Sequence, residues 1–178
     1  MKKEILLSLT ALAILVSFGR SDGQLGSKIA YSLTDVNNYN MDIYTINPDS
    51  TGRVRLTDHP ATDWVPAWSP DGSKIAFRTD RDGDREIYLM NADGSDKVNL
   101  TNDPAFDGLN PGAWSPDGSK IAFHSDRKGG RLDVWVMNAD GTNPIRLNKE
   151  RRPLFGPQTE QKSSTSGTQI ILALLGFL

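Results

Sequence analysis

Short apolar runs recur through the middle of the chain, each bounded by turn-forming residues. Ile75-Ala-Phe and Ile87-Tyr-Leu-Met are examples. Neither alternates strictly with polar residues, which is how a strand covered on both faces reads. The punctuation between runs is regular. Ser-Pro-Asp-Gly puts Pro at a second turn position and Gly where a left-handed backbone is needed. Asn-Ala-Asp-Gly has the chemistry of a type I turn closed by a glycine bulge. The pattern predicts four kinds of strand. Strand a is Val65–Ser69 and Gly112–Ser115; strand b is Lys28–Leu33, Lys74–Thr79 and Lys120–Ser125; strand c is Asp42–Ile46, Glu86–Met90 and Asp133–Met137; strand d is Arg53–Thr57, Lys97–Thr101 and Ile145–Asn148.

These strands belong to a repeat. Residues 66–77 recur at 112–123 with eleven of twelve positions identical at an offset of 46. Ser27–Tyr31 is an earlier copy of the second half, again 46 residues upstream, and Met90–Gly94 returns as Met137–Gly141. A period of this length marks a stacked-repeat architecture. Four-stranded, turn-connected units covered on both faces are the blades of a β-propeller. The expected fold is therefore all-β, with antiparallel four-stranded blades: two full copies plus one lacking strand a, forming an open or partial propeller over residues 21–150. Trp68 and Trp114 are expected to fill the space between neighbouring blades, since large aromatics dominate core burial.

The string W-S-P-D-G-x-x-I-A-F, followed by S/T-D-R, I-Y-x-M-x-A-D-G and L-T, resembles the WD-like propeller repeats of TolB-type proteins across residues 27–148. The resemblance implies a propeller fold and protein binding in the periplasm within the Tol–Pal system. The same repeat builds the non-catalytic propellers of prolyl-oligopeptidase-like peptidases, so a propeller fragment or accessory domain of such a hydrolase is the alternative. In the TolB family an α/β domain precedes a six-bladed propeller. Residues 20–26 leave no room for that domain, and this chain has too few copies for that ring.

Spacing separates the two rims of such blades. Trp68 to Ile75 and Trp114 to Ile121 are each 7 residues, and strand c to strand d is 13 in all three copies. Strand b to c takes 14, 12 and 13 residues, and strand d to the next a takes 12 and 14. The a–b and c–d turns share one rim, so that rim is uniform. All the variation falls on the other, in loops at about 34–41, 58–64, 80–85, 102–111 and 126–131. Binding residues tend to sit on variable loops carried by a rigid scaffold. The candidate binding residues there are Tyr39, Asp80, Arg81, Arg85, Phe106, Asp126, Arg127 and Arg131. Arginine suits bidentate contact with carboxylates, and aromatics are enriched at hot spots. Two alternatives stay open. The recurrent Asp80/Arg81 and Asp126/Arg127 also suit structural ion pairing or turn bonding, and Phe106 also suits a plug at the blade junction.

Composition narrows the chemistry. Of 22 acids, 18 are Asp, which prefers turns to helix surfaces, and a formal net charge of −2 offers no basic face for nucleic acid. The chain has no Cys, which excludes disulfides, thiolate metal sites and a Cys nucleophile. Asp80, Asp82 and Asp84 alternate as in oxygen-rich Ca²⁺ loops, but no bidentate Glu follows and the other copies lack the acids. They are weak metal candidates beside a plain hairpin turn. His59 and His124 are the only histidines and join no catalytic motif. Gly19–Gly23 matches G-x-S-x-G without the strand and helix a nucleophile elbow needs. The expectation is a binding protein rather than an enzyme, without a cofactor, with protein partners and self-association through open blade edges.

The two ends stand apart. Lys2 and Lys3 precede an uncharged run from Ile5 to Phe18, the layout of an export signal over residues 1–20. That predicts a periplasmic or secreted protein. Residues 151–178 read as a polar linker, expected to be disordered, followed by nine mainly apolar residues, too few to span a membrane.

Overall fold

The structure, a computed structural model, describes residues 17–18, 28–34 and 40–147. Three antiparallel sheets of four strands follow one another along the chain, each with its strands in sequence order. The first blade is β1 (Ser17–Phe18), β2 (Ile29–Thr34), β3 (Met41–Ile46) and β4 (Val54–Arg55). The second is β5 (Asp63–Trp68), β6 (Lys74–Thr79), β7 (Glu86–Asn91) and β8 (Val98–Asn99). The third is β9 (Asp107–Trp114), β10 (Lys120–Ser125), β11 (Asp133–Asn138) and β12 (Ile145–Arg146).

The core lies between blades. Ala30, Ile43 and Leu56 of the first blade pack on Trp68, Ile75, Phe77, Tyr88 and Met90 of the second. Ala67, Ala76, Ile87 and Leu100 on the other face of the second blade pack on Leu109, Trp114, Ile121, Phe123, Trp135 and Met137 of the third. Each junction thus sets a face of small and aliphatic residues against a face of large ones. Burying a large apolar side chain contributes roughly 1.5–3 kcal/mol, so these stripes hold blade to blade. Trp114 adds a directed contact, its indole N–H donating to Ala67 O across the junction at 3.1 Å. The double-sided burial expected of strand b holds for the middle blade, where Ile75, Ala76 and Phe77 are all fully buried. In the third blade Ile121 and Phe123 are buried while Ala122 between them is half-exposed.

Two expectations are corrected. The first blade has a strand beside β2: Ser17 pairs with Ala30 and Phe18 with Ile29. The open edge of β2 takes partners from the apolar run assigned to the export signal, which carries no Trp-Ser-Pro-Asp-Gly string to mark it. Strand d is shorter than expected, two residues in each blade. Beyond it a threonine hydroxyl substitutes for backbone pairing: Ile43 N donates to Thr57 Oγ1 at 2.9 Å and Ile87 N to Thr101 Oγ1 at 3.1 Å. Strand a begins earlier than expected, at Asp63 and Asp107, and each carries a register shift. The irregular residues include Val65 and Gly112, with φ of 56° and 71°, the local kink of a β-bulge. The other residues of the expected leader, Tyr39 and the tail at 151–178 lie outside the described residues.

Candidate functional site

The repeated Asp-Arg dipeptide at the end of strand b is a clamp on the first strand of its own blade. In the second blade Asp80 Oδ1 accepts from Thr62 N at 2.8 Å. Arg81 Nη2 reaches both oxygens of Asp63 at 3.0 and 3.1 Å, and its Nε donates to Thr79 Oγ1 at 3.2 Å. The third blade repeats this. Asp126 Oδ1 accepts from Phe106 N at 2.9 Å, Arg127 Nη2 reaches Asp107 at 2.9 and 2.8 Å, and Arg127 Nε donates to Ser125 Oγ at 2.9 Å. Both guanidiniums also lie over core rings, Arg81 at 4.8 Å from the Tyr88 centroid and Arg127 at 5.1 Å from Trp135. Burial pushes the Asp107 carboxyl up in spite of Arg127. Of the rim candidates, Asp80, Arg81, Asp126 and Arg127 therefore have structural partners: they fix where strand a begins.

The remaining candidates differ. Arg85 and Arg131 are exposed, and among the described residues neither has a carboxylate within salt-bridge distance. Phe106 is half-buried at the junction of the second and third blades, its ring 5.2 Å from the Arg85 guanidinium. Two residues that sequence reasoning passed over complete this spot. Trp64 and Arg78 are register partners on β5 and β6, with the Arg78 guanidinium 4.4 Å from the Trp64 centroid. Their signal was present in the sequence as departures from the repeat, since the third blade has Gly108 and His124 at the corresponding positions. Asp80, Asp82 and Asp84 do not gather around a common point. Asp80 is held by Thr62, while Asp82 accepts from Tyr88 Oη and Asn99 Nδ2. Burial, then the Asp82 contact, pushes the Tyr88 phenol up to about 12. Among the described residues no three acids or histidines form a metal-sized group.

The uniform rim is built from acids committed to turns. Asp71 accepts from Ser69 Oγ, Ser73 N and Ser73 Oγ, and Asp117 accepts from the equivalent Ser115 and Ser119. Asp93 and Asp140 do the same for Ser95 and Thr142. These hydrogen bonds, the hydroxyl ones foremost, hold all four carboxyls below their usual range, Asp117 at about 2. A cleft of about 570 Å³ opens on this rim between the second and third blades, lined by Ser69, Asp71, Lys74, Trp114, Asp117 and Asp140 among others. Its acids are the turn acids, so they have little hydrogen-bonding capacity left for a ligand.

Comparison with known proteins places this geometry. The family model of the TolB beta propeller domain matches residues 26–173. The solved structure of a putative TolB from Agrobacterium tumefaciens superposes with a TM-score of 0.60 and 28% identity, over 76% of this chain and 49% of that one. TolB from Acinetobacter baumannii superposes with a TM-score of 0.57 and 24% identity, over 68% and 30%. Among curated proteins, dipeptidyl-peptidase 5 of Porphyromonas gingivalis is 38% identical over 56 residues, 30% of this chain and 8% of the peptidase. The chain thus spans about half the length of the first TolB structure and a small part of the peptidase.

Proposed function

Because the chain belongs to the TolB β-propeller family, we propose that it is a protein-binding module of the cell envelope, without catalysis of its own, that engages its partner through the variable rim. The observation that carries this reading is the contrast between rims. The acids of the uniform rim are tied into turns. The variable rim presents Arg85 and Arg131 without carboxylate partners, next to the half-exposed rings of Trp64 and Phe106. Arginine and aromatic side chains are the types that anchor protein interfaces. The two histidines support a binding role over a catalytic one. His59 Nδ1 accepts from Ala61 N, and His124 lies by Asn110 on another blade, so each is engaged locally. An export signal and a periplasmic setting accompany the TolB resemblance in this reading.

A second reading is favoured by the similarity to dipeptidyl-peptidase 5: a propeller accessory to a prolyl-oligopeptidase-like hydrolase, with the same rim facing the hydrolase. The experiment is capture of partners from envelope extract of the source organism with two charge-reversal sets. Arg85→Glu with Arg131→Glu alters the variable rim; Lys74→Glu with Lys120→Glu alters the uniform one. The expected result is loss of the partner with the first set only, both proteins remaining folded by circular dichroism. Loss with the second set alone refutes the assignment of the rim, and capture of a hydrolase by the unaltered chain selects the second reading.

A further inference from the structure

Trp64, Arg78, Arg85 and Phe106 form one cluster where the second and third blades meet. Each guanidinium carbon lies within reach of both rings: Arg78 at 4.4 Å from the Trp64 centroid and 5.9 Å from Phe106, Arg85 at 5.8 and 5.2 Å. Elsewhere this fold gives its partly buried arginines an acid. Arg55 has Asp42, Arg81 has Asp63, Arg127 has Asp107 and Arg146 has Asp133, all at 2.7–3.0 Å. Arg78 is as enclosed in its middle as these are, its Nε buried without a hydrogen-bond partner, yet it has no carboxylate among the described residues. Burial and the neighbouring charge of Arg85 push it down to about 10.

The repeat does not require this arrangement. At the position of Arg78 the first and third blades carry Ser32 and His124; at that of Arg85 they carry Met41 and Leu132. Phe106 corresponds to Thr62, and Trp64 to Gly108. Two like charges side by side and half out of water oppose folding, with attraction to the ring faces as a partial offset. A cluster that costs stability, is not demanded by the repeat and lies on the variable rim is a candidate for function.

We propose that this cluster docks a carboxylate of a partner polypeptide, an Asp or Glu side chain or a chain-terminal carboxylate, between the forks of Arg78 and Arg85. Guanidinium forks match the planar carboxylate. The Trp64 and Phe106 rings beside them offer apolar surface to the side chain that bears it, which suits a peptide better than a bare phosphate. The inference rests on the rim reading and adds the chemistry of the contact.

The test uses the full chain and three probes: the peptide acetyl-Gly-Phe-Glu-Glu-Gly-amide, its Gln-for-Glu counterpart, and inorganic phosphate. Binding is read by calorimetry and by the Nε–H resonance of Arg78, and stability by Tm. The acidic peptide is expected to bind and shift that resonance. Its affinity should fall at least tenfold for the Gln counterpart and at least tenfold in Arg78→Gln with Arg85→Gln, while phosphate leaves the resonance in place. Tm of Arg78→Gln should stay level or rise, because no partner is lost. Equal binding of the two peptides, unchanged affinity in the double variant, a phosphate shift as large as the peptide's, or a fall in Tm on Arg78→Gln would each overturn the proposal. Should the acidic peptide fail while partner capture is still lost in the variable-rim set, the carboxylate site falls and the rim reading stands. Capture lost only in the uniform-rim set removes the rim reading itself.

Discussion

Arg78 and Arg81 stand three residues apart and carry the same charge, but their surroundings give them opposite effects on stability. Arg81 closes on Asp63, which is fully buried, and removing one partner of such a pair leaves a charge uncompensated. Asp63→Ala is therefore expected to cost about 3–5 kcal/mol, and Asp107→Ala a similar amount, measured by urea unfolding; a loss below about 1 kcal/mol, the scale of an exposed pair, contradicts the clamp. The turn acids make a second prediction at this scale. The hydroxyl of Ser115 and the Ser119 groups hold Asp117 at about 2 against an ordinary 3.8. The unfolded chain therefore takes up the proton more readily than the folded one. The contribution is complete above about pH 4 and lost as pH falls towards 2. Asp117→Asn should accordingly lower Tm at pH 7, with the gap to the unaltered chain narrowing steadily below pH 4; a gap that is constant across this range refutes the linkage. The sequence showed that Asp80/Arg81 and Asp126/Arg127 recur and suit ion pairing. It did not show the acids they meet, because Asp63 and Asp107 sit 18 and 20 residues away on another strand and share no motif with them beyond the following repeat position.

Among elements, the inner strands were the most legible. Strand b was read at its observed bounds in the second and third blades, Lys74–Thr79 and Lys120–Ser125, because a strand flanked on both sides has no choice of register. Edge elements were less legible for the same reason. Strand d has one neighbour in its sheet and yields to threonine hydroxyls after two residues. Strand a carries a bulge that apolar pattern alone does not locate. The turns were legible in their glycines, and the structure gives one of these a further task. Gly94 and Gly141 close the c–d turns at φ of 87° and 85°, and a Cβ there would lie 2.8 Å from Leu56 O and 2.7 Å from Leu100 O of the preceding blade. These glycines thus permit both the turn and the approach of one blade to the next. Gly118 has a similar φ of 71° but only Pro70 Cδ nearby, at 3.6 Å. Gly141→Ala is therefore expected to destabilise by more than about 1 kcal/mol, and by clearly more than Gly118→Ala, in paired thermal denaturations. Equal losses at the two sites would show that φ alone sets the cost and that the blade contact is slack.

For the whole molecule, the blade junctions state what each free face is suited to meet. In the second blade Ile75, Phe77, Tyr88 and Met90 are covered by the small and aliphatic face of the first. The same positions in the first blade are Ile29, Tyr31, Tyr44 and Ile46, all half-exposed, with the two tyrosine rings stacked at 5.9 Å. At the other end Ala122, Val136 and Leu147 of the third blade occupy the places of Ala76, Leu89 and Leu100, and they too are half-exposed. One end therefore offers the large face of a junction and the other end the small face. Two copies of the chain can meet as neighbouring blades do, a head-to-tail contact in the sense of a heterologous interface. The sequence carried this only in part: it counted the blades and predicted open edges, but which residues face outward follows from the register of β2 with β3 and of β10 with β11. The expected outcome is concentration-dependent association of the full chain in sedimentation velocity. Val136→Glu and Tyr44→Glu, one at each face, should each shift it to monomer, since a charge in an apolar junction must be desolvated without a partner. Mixing the two variants should not restore full association, because only one competent face of each kind remains and a pair is the limit. A chain that stays monomeric at every concentration, or associates equally well with both faces charged, would show that the blade faces are not what meets.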